Sequence, residues 1–202
     1  MKKIDVSPFL IAVLCLLAYC LPSGIFLPFL LAAVLHETSH IVLCKLLHVP
    51  ITAFSLTVCG AELKADFKSY PQELLCILAG PAMNLLCFGL FLRHETFALF
   101  SLLLGVYNLL PLQALDGGRL LYLLFVSLCS FEKAEKVCRI TEIAVCILLT
   151  AGSIVLCCVY HAGLWSVFTC SIILARSKAI ENILLFLPGR RKIEKKHVEG
   201  AL

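Results

Sequence analysis

The sequence predicts an all-α polytopic membrane protein with about six transmembrane helices, a broken fourth helix and a small β-hairpin at the cytosolic face. Three observations carry this reading. The 202 residues are 61% hydrophobic and only 15% charged, with a mean hydropathy of +1.00, where a soluble domain carries about 25% charged residues. Apolar runs of the ~20 residues that a bilayer crossing requires recur along the chain. The basic residues also segregate. With six spans drawn, all of the 17 Lys and Arg residues except Arg93 and Arg119 fall on one side. The positive-inside rule makes that side, and both termini, cytosolic. The net charge of +4 is then a matter of topology, and no nucleic-acid partner is expected.

The spans fall at roughly 5–21, 24–47, 72–92, 97–130, 140–160 and 162–176. They form one membrane domain, 1–176, with its core at 24–130 and a tail at 177–202. The first follows Lys2 and Lys3, but "SPFLIAVLCLLAYCLPSG" has no A-x-A-like cleavage site. It is expected to remain as a helix and not to be removed as a signal. The second span contains "HETSH". Residues 51–70, "ITAFSLTVCGAELKADFKSY", alternate loosely around Cys59-Gly60, which suggests a short hairpin. In the third, "AGPAMN" places Gly80-Pro81 where a kink and close helix packing are expected. The fourth is too long for one straight crossing, and Pro111 and Gly117-Gly118 interrupt it. A helix broken at membrane depth survives only where its freed backbone groups are buried in protein or line a wet cavity. The break therefore points to a site. The tail runs from "SKAIENILLFL" through Pro188-Gly189 to "RRKIEKK", and is expected to be solvated or to touch anionic lipid. The twelve cysteines lie mostly inside apolar runs with no C-x-x-C pair. They read as small buried hydrophobes, not as disulfides or a zinc ribbon.

Polar residues in a span are expensive. A charge at the bilayer centre costs roughly 2.5–3.5 kcal/mol even on lenient insertion scales. His36 and His40 stand at i and i+4, so their imidazoles share one helix face and can share one ion. Zinc takes neutral imidazole nitrogens in a tetrahedron. Glu37, rotated about 100° from His36, borders that ion without having to bind it and can take a proton from a water. This is the H-E-x-x-H arrangement of zinc proteases. A catalytic zinc usually has three protein ligands and a water, so a third is needed. Besides Glu37, Asp116 reads as the only acid deep in a span. Gly117 and Gly118 let the chain bend there. Asp116 can equally cap a half-helix that starts at Gly117. Asn84 reads as a helix-to-helix hydrogen-bonder or a substrate contact. Asn108, near the break, reads as helix glue or as a donor to substrate backbone or a developing oxyanion. No role is assigned to Arg119, and His48, His94 and His161 are expected at the membrane interface.

"HETSH", "AGPAMN" and "NLLPLQALDGG", in that order over about residues 24–125, resemble the site-2 protease family (M50) of intramembrane zinc metalloproteases. The resemblance implies Zn2+ as cofactor, His36, His40 and Asp116 as its ligands, and Glu37 as the catalytic glutamate. The family's loop is often N-P-D-G. Here Asn108 is followed by Leu109, with Pro111 three residues on, as in the sporulation branch, which processes a membrane-associated sigma-factor precursor. No insertion large enough for a PDZ domain is present. The resemblance implies membrane-protein or membrane-associated peptide substrates, the lipid bilayer and regulatory membrane proteins as partners, and a bacterial cell membrane as the location. Two other readings compete with this one. A membrane zinc transporter commonly shows internal repeats, and no second H-x-x-x-H half occurs. An inactive, chaperone-like homologue has no support, because Glu37 and all three ligand residues are present.

Overall fold

The structure, a computed structural model, describes residues 4–57 and 60–160. It divides into two compact units, Met1–Leu110 and Pro111–Leu202. The expected sixth span, the tail, Cys59 and His161 lie outside the described residues.

The first unit opens with β1 (Ile4–Val6), α1 (Pro8–Cys20) and α2 (Ser23–Leu46). It continues with β2 (Ile51–Thr57), β3 (Gly60–Ala65), α3 (Tyr70–Leu90) and α4 (Glu95–Asn108). The second holds α5 (Asp116–Leu128) and α6 (Phe131–Tyr160). Six helices are thus present among the described residues. Ser23–Leu46, Tyr70–Leu90 and Phe131–Val155 are long and apolar enough to cross a membrane. The helix α1 has 13 residues, about 20 Å at 1.5 Å per residue, against a hydrocarbon core of about 30 Å. The first predicted span is therefore shorter than drawn, because its opening residues enter a sheet.

That sheet has the order β1-β2-β3. The predicted hairpin is present: β2 and β3 pair antiparallel, from Ile51 opposite Ala65 to Thr57 opposite Gly60. The strand β1, parallel to β2 with Ile4 opposite Phe54 and Val6 opposite Leu56, was not foreseen. Three residues next to an apolar run give too little alternation to register.

In the first unit α2, α3 and α4 pack against one another. The inner stripes follow helical spacing: Ala32, His36, His40 and Cys44 on α2, Cys76, Gly80, Asn84 and Cys87 on α3, and Phe97, Ser101 and Gly105 on α4, all buried. Small residues on facing stripes let the helices approach closely. Ala32, Cys87 and Phe97 close one apolar cluster with Leu35, Met83, Phe100 and Leu104. Cys44, Val49 and Cys76 close another beneath the sheet residues Ile51, Leu63 and Ala65. The outward side of α2 exposes Leu27, Leu31, Val34, Val42 and Leu46, the surface a lipid-facing helix presents. The two histidines lie between the two clusters.

The helix α2 ends in a Schellman motif. His48 has φ 54°, its N–H donates to the Lys45 carbonyl at 3.1 Å, and Val49 N–H donates to the Cys44 carbonyl at 2.8 Å. This is the position where glycine usually stands. His48 therefore terminates a helix.

In the second unit the predicted break is real: α5 begins at Asp116 after a turn in which Leu115 N–H donates to the Leu112 carbonyl at 2.8 Å. A Cβ on Gly118 would collide with the backbone of Leu112, so the turn requires glycine there. The helix α6 packs on α5 and buries Ala134, Cys138, Glu142, Cys146 and Ser153 along one stripe. It starts at Phe131, well before the drawn span. The charged first turns continue the helix, with Arg139 paired to Glu135 at 3.1 Å on an exposed face.

Candidate metal centre

The "HETSH" segment keeps its polar groups satisfied within α2. Thr38 Oγ1 donates to the Val34 carbonyl at 2.7 Å, and Ser39 Oγ donates to the His36 carbonyl at 2.6 Å. Hydroxyls that bond back one turn can sit in an apolar helix at little expense. This leaves His36 and His40, 3% and 9% exposed, as the groups that project inward to α3. Their rings lie 4.9 Å apart, centroid to centroid, at 78°.

Each ring is held from behind. His40 Nδ1 lies 2.7 Å from the backbone carbonyl of Cys76. A carbonyl only accepts, so Nδ1 carries the proton and Nε2 the lone pair. His36 Nδ1 lies 3.2 Å from Asn84 Nδ2. The two Nε2 atoms are 3.3 Å apart. Two zinc–nitrogen bonds of about 2.0–2.1 Å at a tetrahedral angle would place their nitrogens about 3.3–3.4 Å apart. The pair fits a zinc ion on that measure.

The space beside the pair is made by α3. A Cβ on Gly80 would collide with His40 Nε2 and approach His36 Nε2 to 2.6 Å. The next residue, Pro81, is buried and lacks the N–H that would bond the Ile77 carbonyl. Even so, α3 runs unbroken from Tyr70 to Leu90. Gly80-Pro81 therefore delivers the close approach expected of it without ending the helix. Glu37 follows His36 on α2 and is half-buried.

Asp116 is half-buried at the start of α5. The helix begins at Asp116 itself, and its N-cap is Leu115. Asp116 therefore does not cap a helix that starts at Gly117. His36, His40 and Asp116 are side chains of the kinds that together can hold a metal ion. Asn108 is the last residue of α4, and its Nδ2 donates to the Leu104 carbonyl at 3.0 Å. Asn84 is wholly buried. One residue escaped the sequence reading. Asp116 is not the only deep acid besides Glu37, because Glu142 in α6 is 0% exposed. The signal was its four-residue spacing from Cys138 and Cys146. It stands at the edge of a predicted span, where an acid ordinarily meets water.

The family model for peptidase family M50 matches residues 90–150, which include Asp116. Stage IV sporulation protein FB of Bacillus subtilis (strain 168) is 32% identical over 163 residues, or 73% of this chain and 56% of the relative. The chain thus spans little more than half the length of that curated relative. The solved site-2 protease from Methanocaldococcus jannaschii has a similar fold, with a TM-score of 0.62 at 19% identity, covering 86% of this chain and 88% of that one. Taken with the histidine pair, these likenesses show that the chain is a membrane protein of peptidase family M50, near the stage IV sporulation branch.

Proposed function

We propose that the chain is an intramembrane zinc metalloprotease that hydrolyses peptide bonds in or near transmembrane segments of membrane-associated substrates. The observation that carries this reading is the 3.3 Å separation of His36 and His40 Nε2 beside a glycine on the facing helix, with Glu37 next in sequence. His36, His40 and Asp116 would hold the zinc ion. When bound, zinc supplies Lewis acidity toward the scissile carbonyl and toward a water. Glu37 takes the proton of the attacking water and hands it to the leaving amine. Asn108 contacts the substrate backbone through the amide hydrogen that does not donate to the Leu104 carbonyl.

A helical peptide bond hides its carbonyl in the i−4 ladder, so a substrate must unwind before it is cut. The strand β3 ends the sheet order, and an edge strand can hold an extended segment by strand addition. Six spans with both termini cytosolic best fit the distribution of Lys and Arg. A bacterial cell membrane, regulatory membrane partners and the processing of a sporulation sigma-factor precursor are supported by the likeness to the Bacillus subtilis sporulation protein.

Metal analysis of the purified full chain tests the centre. About one zinc per chain is expected, with strong loss in His36→Ala and in Asp116→Ala. Full occupancy in Asp116→Ala would remove Asp116 from the ligand set.

A further inference from the structure

Asn84 is 0% exposed. It is walled by α4, where a Cβ on Gly105 would stand 3.2 Å from Asn84 Cβ. Its Nδ2 lies 3.2 Å from His36 Nδ1, and its Oδ1 has no hydrogen-bond partner. These groups stand in a row. Asn84, His36, His40 and the Cys76 carbonyl follow one another at 3.2, 3.3 and 2.7 Å.

Only one end of that row is chemically fixed. The Cys76 carbonyl can do nothing but accept, so His40 offers a lone pair at Nε2. The other end is a carboxamide, which donates or accepts according to a half-turn about its last bond. With Nδ2 donating to His36 Nδ1, the proton of His36 sits on Nε2 and points at His40. His36 then has no lone pair there. With Oδ1 accepting from Nδ1–H, the Nε2 lone pair of His36 stands beside that of His40. The row has two arrangements, and the amide of Asn84 selects between them.

We propose that Asn84 is a positioning residue for the metal centre. It accepts the Nδ1 proton of His36 through Oδ1 and so leaves Nε2 free to ligate, the part that the Cys76 carbonyl plays for His40. The inference rests on the metal-centre reading above. It replaces the substrate contact expected of Asn84, because a side chain with no exposure and an α4 wall behind it serves its neighbour, not a cleft.

The test uses the full chain in detergent, with zinc affinity read by competition against a chromogenic chelator. Asn84→Leu keeps the volume roughly and removes the acceptor. Asn84→Asp keeps an acceptor at the same reach. Loss of an outer partner of a metal-binding histidine typically costs 10–100-fold in metal affinity. Asn84→Leu is expected to bind zinc that much more weakly, and Asn84→Asp to stay within about tenfold of the native chain. Were packing the whole role, the leucine variant would match the native chain and the aspartate variant would fall, which overturns the proposal. If Asn84→Leu does not fold, the aspartate variant and nitrogen-15 spectra of the histidine-labelled, zinc-loaded native chain decide. The proposal requires a proton on His36 Nδ1, and a proton on Nε2 overturns it. A native chain that takes up no zinc overturns the metal-centre reading itself, and this inference with it.

Discussion

A methyl group at position 80 would occupy the place where two imidazoles meet. A Cβ there collides with His40 and comes within 2.6 Å of His36 Nε2, and a buried ring on a packed helix has little room to yield. Gly80→Ala is therefore expected to insert and fold but to lose zinc affinity by at least about tenfold, the scale on which misplaced ligands act. Metal analysis beside a thermal unfolding curve checks this, and unchanged occupancy would contradict it. The histidine pair was legible in the sequence, because i and i+4 share a face whatever the fold. The roles of Gly80, Asn84 and the Cys76 carbonyl were not. The helix α3 is apolar nearly all round, so periodicity does not say which side turns toward α2. Spacing puts Cys76, Gly80 and Asn84 on one stripe, and only packing shows that this stripe lies behind the rings.

Helix ends and breaks carry the next level of the design. His48 holds the left-handed position that closes α2, at an expense of roughly 1–2 kcal/mol for a residue with a Cβ. His48→Gly should raise stability by up to about 1 kcal/mol, part of the relief being lost to the greater freedom of glycine in the unfolded chain. A higher thermal midpoint in detergent with unchanged zinc binding is the expected outcome. A lower midpoint would show that the His48 side chain contributes something the backbone does not. The broken fourth span was legible because Pro111 and the glycine pair punctuate it, and Gly118 indeed stands against the Leu112 backbone. The start of α6 was not legible. Lys133, Lys136 and Arg139 interrupt the apolar pattern, and charge does not mark where a helix ends. Here an i, i+4 pair between Glu135 and Arg139 supports the helix beyond the apolar stretch. The strand β1 was hidden for the opposite reason, since its residues merge with the apolar run that becomes α1.

At the scale of the molecule, membrane class was legible from composition alone, and three helices of crossing length agree with it. The number of crossings rests on charge. If fifteen of the seventeen Lys and Arg residues share the cytosolic side, a reporter fused after Leu202 should read as cytosolic and one inserted near Arg93 as external. An external signal from the C-terminal fusion would contradict the six-span topology while leaving the histidine centre untouched. The central claim is that the buried polar cluster cuts peptide bonds, with Glu37 moving the proton and His36, His40 and Asp116 holding the metal. Glu37→Gln tests it most directly, because it keeps the size of the side chain and removes the base. General acid–base groups contribute roughly 10²–10⁴-fold in rate. The variant should keep its zinc and lose cleavage of a transmembrane substrate by that order, read as fragments on a gel from reconstituted enzyme, with a chelator control that silences the native chain. Equal cleavage by Glu37→Gln and the native chain would contradict the mechanism.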